Sequence, residues 1–240
     1  SERWEIALSI WSALALLAYV VWILSIKDTK AVKDTKAVKE PVEMDEPAVF
    51  RSPWSNTRAW LILLFFGFQA SLFFSLTTWL GSAAGELGFN VIEAGSVISV
   101  LTIAQIVGNI VIPLLLEKFP NRSFWIYFSL TLGTVGLFLL LTNSTLLIWP
   151  ASVFLGLTLG GLFPLALLLP LDETTDAREA NAWTAMVQTG GFIMGGITPL
   201  AIGILYDITG THQMTYYVLL MLLVGMFVVT IFLNKKNNPA

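Results

Sequence analysis

The sequence predicts an all-α membrane protein with seven transmembrane helices, the last six forming one six-helix bundle. Three observations predict it. Hydrophobic residues make up 56% of the 240 residues and charged ones only 12%, with a mean hydropathy of +0.77, whereas soluble domains carry about 25% charge. Apolar runs stand at 6–26, 59–80, 94–116, 124–141, 146–169, 182–206 and 217–233, each near the roughly 20 residues that cross a bilayer. Lys and Arg collect in alternate loops, seven in 27–58, then two, one and two, while the opposite side keeps only Arg3. Basic residues mark the cytoplasmic side. The chain is therefore expected in the cell membrane as a multi-pass protein, its first span entering from outside, with the 27–58 segment and the C-terminus cytoplasmic.

Composition also excludes chemistry. The sequence has no cysteine and a single histidine, His212, so disulfides, cysteine metal sites and histidine metal clusters are ruled out. No metal, cofactor or nucleic acid is expected. The first apolar run is too long, and wrongly flanked, for a cleavable signal. The chain reads as starting in the middle of something longer.

The elements follow in order. Residues 1–26 form the first span. Segment 27–58 repeats KDTKAV twice and then turns acidic; its mixed charge predicts a solvated cytoplasmic linker. Residues 59–240 form the bundle. In its first span Gln69 stands near the middle, Ser71, Ser75 and Thr78 share another face, and Trp79 lies near the outer end. In the next, Thr102, Gln105 and Asn109 step at helical spacing. At about 1.5 Å per residue, Gln69 and Gln105 fall at one depth near the midplane. The runs 124–141 and 217–233 are apolar nearly all round and are expected at the lipid-facing periphery.

Between 154 and 208 two glycine-rich runs flank a short acidic turn. Gly156, Gly160 and Gly161 lie on the first; Thr184, Gln188, Gly191 and Gly195 form one stripe on the second. Hydrocarbon does not reward a glutamine, so this stripe faces protein or water. Close helix packing with hydrogen-bonded amides accounts for these residues one at a time, and a polar cavity accounts for them together. Both readings stay open on the sequence alone.

At the inner end of the third span, Pro113 to Arg122 resembles, in degraded form, the G-x-x-x-D-R-x-G-R-R loop of the major facilitator superfamily. Glu117 takes the acid's place and Lys118 and Arg122 the basic ones, while Pro113 and Pro120 replace glycines and Asn121 a base. Longer strings resemble one branch of that superfamily, the cyanate and 2-nitroimidazole transporter-like family. They are FGFQASLFFSLTTWL, FLGLTLGGLFPLALLL and NAWTAMVQTGGFIMGGITPLAIGILYDITG. Matching positions include Gly156, Gly160, Gly161, Phe163, Pro164, Met186, Gln188, Gly191, Pro199, Gly203, Asp207, Thr209 and Gly210. Gly81, Thr184, Phe192 and Thr198 depart from the pattern; if the family's tyrosine offers a hydroxyl to solute, Phe192 has lost it. The resemblance implies the sixth to twelfth helices of a twelve-helix transporter whose N-terminal half is a partner outside this chain.

The expected function is secondary transport, by alternating access, of a small polar or anionic solute such as a cyanate-like anion or a nitroheterocycle. The solute would be held by Gln69, Ser75, Gln105, Asn109 and Gln188, since an amide both donates and accepts. Trp79 is expected at the outer gate, Glu117, Lys118 and Arg122 at the inner one, and Gly191, Gly195 and Pro199 at the pivots. No acid or base lies well inside a span of the bundle, so proton coupling would come from the other half or be absent. An enzyme is not expected: Asp172, Glu173, Asp176 and Glu179 gather in one turn, without His or Cys partners. The alternatives are a membrane-embedded enzyme built on that turn and a membrane scaffold or sensor.

Overall fold

The computed structural model describes residues 3–32 and 52–235. The chain divides into two units, Ser1–Val49 and Phe50–Ala240. The first contributes helix α1, Arg3–Val32, with an apolar stretch at Trp11–Ser25. The first copy of KDTKAV, at 27–32, is thus helical and continues α1. Its six residues hold no Gly or Pro, and Lys and Ala propagate a helix readily. The second copy, and the rest of the expected linker up to residue 51, lie outside the described residues.

The second unit opens with a short 3₁₀ turn, Pro53–Ser55, followed by α2 (Thr57–Glu86), α3 (Val91–Lys118), α4 (Arg122–Leu141), α5 (Ile148–Asp172), α6 (Ala177–Thr209) and α7 (Gln213–Asn234). All six of these helices are long and apolar enough to cross a membrane, and among the described residues there is no strand. Turn chemistry sets their ends. Asn90 caps α3 by accepting from Ile92 and Glu93 N–H at 2.9 and 3.0 Å, while its own N–H donates to Glu93 Oε2 at 2.9 Å. Gly210 closes α6 at φ +69°, a backbone geometry that glycine adopts without strain.

Helices α2 and α5 form the centre. In their most apolar stretches 67% and 56% of residues are buried, against 28% for α3 and 17% for α6. Helix α3 packs on α5, α6 on α2, and α4 on both α5 and α7, while among the described residues α3 and α6 do not touch each other. Glycines permit two of these seams. A methyl group on Gly160 would overlap the Gln105 carbonyl oxygen of α3, so α3 and α5 meet backbone to backbone. One on Gly191 would overlap the Phe66 ring of α2.

Helices α4 and α7 are not simply peripheral. Each has an exposed apolar side, such as Phe138 and Val224, and a buried side, such as Leu130 with Leu137 and Leu219 with Met226. Thr158 of α5 donates to the Ser129 carbonyl of α4 at 3.0 Å.

Candidate functional site

Four helices enclose a cavity of about 260 Å³: α2 supplies Gln69, Ala70, Phe73 and Phe74, α3 supplies Gln105 and Asn109, α5 supplies Phe163 and α6 supplies Phe192. Local packing aims each of them. Gly160 presses on the backbone of Gln105 and Asn109, so these two side chains leave α3 away from the seam and beside Phe163. Gly195 fits against Ala70 and Phe74, drawing α6 close enough for Phe192 to reach the same space. The Phe192 ring meets Phe66 edge to face at 5.3 Å and lies 6.4 Å from Phe74.

Gln69 is 2% exposed, while Gln105 and Asn109 are half-buried. Among the described residues none of the three side-chain amides pairs with another group of the chain. A buried amide without a partner costs about 1–3 kcal/mol. Here one buried and two half-buried amides line one space, and a polar guest or water would satisfy them. A larger groove of about 420 Å³ between α3 and α4 offers no such grip: it is apolar except for Trp125, whose ring N–H already donates to the Phe119 carbonyl at 3.1 Å.

Of the solute-binding residues expected from sequence, Gln69, Gln105 and Asn109 come together and two do not. Ser75 is buried on the far side of α2. There its hydroxyl has no partner and lines a separate void of about 10 Å³ with Trp79 and Thr215. Gln188 is half-buried on α6, one turn before Phe192, and is not part of the cavity wall.

Of the residues expected at gates and pivots, Trp79, Pro199, Glu117, Lys118 and Arg122 fall towards the two ends, whereas Gly191 and Gly195 lie midway along α6. At the end with the α5–α6 turn, Arg58 forks onto Glu173, with Nε to Oε2 at 2.6 Å, and donates to the Leu233 carbonyl at 3.1 Å. Arg122 pairs with Asp172. Glu117 and Lys118 are exposed on the last turn of α3. Two carboxylates of the acidic turn therefore tie α5 to α2 and α4, and Asp176 caps α6 by accepting from Arg178 N–H at 3.2 Å.

At the other end Trp79 donates its ring N–H to the Pro199 carbonyl at 3.0 Å and lies near Tyr206 and His212, at 6.1 and 5.7 Å between centroids. Gly191 and Gly195 are buried in the α2–α6 seam. Burial pushes the His212 imidazole below its ordinary value, and the Glu86 carboxylate opposes this in part.

The sequence reading did not anticipate the phenylalanine wall, the arginine partners of Asp172 and Glu173, or the buried histidine. One signal was available for the last two. The loop alternation sets Arg58, Arg122 and the acidic turn on one side, and His212 and Glu86 on the other. Among the described residues no group of three or more His, Cys, Asp or Glu is placed to share a metal ion.

The sequence pattern of the Major Facilitator Superfamily matches residues 3–195 and 82–240. The cyanate transport protein CynX of Escherichia coli (strain K12) is 31% identical over 176 residues, covering 72% of this chain and 45% of CynX. The uncharacterized transporter YycB of Bacillus subtilis (strain 168) is 25% identical over 226 residues, covering 93% of this chain and 53% of its own length. A 2-nitroimidazole transporter of Escherichia coli (strain K12) is 25% identical over 169 residues, with 67% and 40% covered. The chain spans roughly half the length of these relatives.

Proposed function

The chain belongs to the Major Facilitator Superfamily, and from that premise we propose that it is the C-terminal half, sixth to twelfth helices, of a secondary transporter for a small polar solute. Residues 1–26 are the sixth helix, 27–58 join the halves on the cytoplasmic side, and 59–240 form the second bundle. The absent N-terminal half is the partner. It covers α3 and α6, the two least buried spans, and closes the cavity between them. Transport proceeds by rocking the two bundles about a site near the midplane.

One observation carries this reading: the unpaired amides of Gln69, Gln105 and Asn109 face a single cavity. Each amide both donates and accepts, which suits a small polar or anionic solute. Cyanate-like anions and nitroheterocycles are the solutes suggested by the relatives' names. Asn109 deepens the grip, and Phe163 and Phe192 supply flat apolar walls. Gln188, one turn from the cavity, meets the solute on its way to the cytoplasm. The test is uptake of cyanate and of 2-nitroimidazole by cells carrying the full-length protein. Gln69→Ala and Gln105→Ala are each expected to weaken apparent affinity about tenfold or more, as for a lost buried hydrogen bond. Unchanged uptake in both variants rejects this cavity as the solute site.

A further inference from the structure

We propose that His212, together with Glu86, is a proton-binding site separate from the central cavity: neutral, its ring fastens the end of α2 to the α6–α7 turn, and protonated it lets them part. His212 sits immediately before α7 and is 1% exposed. Its Nε2 lies 2.9 Å from Ser82 Oγ on α2 and its Nδ1 3.3 Å from Thr215 Oγ1 on α7. Its backbone N–H donates to Glu86 Oε2 at 3.1 Å, and its ring stacks on Tyr206 of α6 at 4.4 Å. A hydroxyl donates or accepts, so a neutral ring is satisfied in either tautomer. Through the ring, all three elements are therefore joined with no charge on the imidazole.

A protonated ring changes the balance. Its charge would be held in a nearly dry site, and the groups around it compensate poorly. From α2, Glu86 Oε1 stands 4.0 Å from Nε2, beyond hydrogen-bond reach, and that side chain is 33% exposed. From α6 come the neutral phenol of Tyr206 and the exposed Asp207; from α7 comes the buried phenol of Tyr216. Water screens the Glu86 carboxylate, while the buried ring bears the full loss of hydration. The lowered imidazole value agrees with this.

The sign follows from linkage. Parted from its neighbours, the ring meets water and titrates near its ordinary value of about 6.5. Joined, it binds a proton less readily, so proton uptake favours the parted state. The joined state is fully favoured above about pH 6.5 and loses ground as pH falls through that value towards the lowered one.

A second observation extends the site inward. Thr215 also lines the void of about 10 Å³ beside Ser75, whose buried hydroxyl has no partner. Thr215 thus stands between the His212 ring and the middle of α2. The site stands on the helix ends alone. Its consequence for transport, proton entry coupled to outer opening, rests on the function proposed above.

The test uses the full-length protein, free of other cysteines, with Gly85→Cys and Thr211→Cys carrying spin labels. Both positions are exposed, and a side chain at Gly85 meets nothing within 4 Å. Pulsed distance measurements at pH 8 and pH 5 need no solute, so they decide this proposal even where the transport reading fails. The ratio of short to long separations is expected to drop on acidification, by about tenfold for each unit separating the two His212 values. His212→Gln, which bonds both hydroxyls but takes no proton, is expected to abolish the response. Glu86→Gln is expected to extend it to lower pH. An unchanged ratio in the parent protein, or a normal response in His212→Gln, overturns the proposal. If His212→Gln does not fold, a Glu86→Gln profile superimposable on the parent's overturns it instead.

Discussion

At one end of the bundle two arginines, Arg58 and Arg122, hold the carboxylates of Glu173 and Asp172; at the other, an uncharged stack of Trp79, Tyr206 and His212 joins α2 to the α6–α7 turn. The ionic end is wet: its four side chains range from 14% to 49% exposed. The stacked end is dry at its heart, with His212 at 1%. Water decides what each can resist. Partly exposed ion pairs weaken with salt, whereas a dry neutral ring is indifferent to salt and sensitive to protons. The same six helices thus answer to two different signals at their two ends.

Three measurements sharpen or break that contrast. The largest effect is expected from Arg58→Ala, which leaves Glu173 without its fork and frees the Leu233 carbonyl. A loss of about 2–3 kcal/mol in unfolding free energy of the full-length protein is expected, as for a partly buried pair broken on one side. A loss below about 0.5 kcal/mol would place the pair among ordinary surface ion pairs. Next comes acidity. Melting temperature is expected to fall as pH drops below about 6.5, where the unfolded chain takes up a proton at His212 and the folded chain resists it. In His212→Gln the slope in that window should vanish, and 0.5 M salt should leave it unaltered in the parent. The smallest effect belongs to Trp79→Phe. It removes one N–H from the Pro199 carbonyl while keeping the ring contacts, at about 1 kcal/mol; a cost above that of Arg58→Ala would reverse the ranking of the two ends.

Long apolar runs and alternating charge sufficed to read six helices from the sequence, because a bilayer forces both. Gln69 and Gln105 were legible as a pair because equal depth follows from counting residues at 1.5 Å each. Ser75 was not. It lies six residues from Gln69, about 240° around the helix, so the two cannot share a face. Helical spacing groups residues into stripes but does not say which neighbour a stripe meets. The buried sides of α4 and α7 were hidden for another reason: in a membrane, lipid and protein core are equally apolar, so Leu130 and Phe138 look alike in sequence. The ion pair of the acidic turn was not legible because the partner lay more than a hundred residues away: Arg58 and Glu173 are separated by 115 positions.

The backbone contact of α3 with α5 at Gly160 has a mechanical consequence. Two rods touching without intervening side chains have no cushion to shear, so Gln105, Asn109 and Phe163 travel as one plank. Gln69 and Phe192 ride on a second plank, α2 with α6. Any guest gripped from both planks sets the gap between them, so the width of the molecule at its waist becomes a gauge of what it holds.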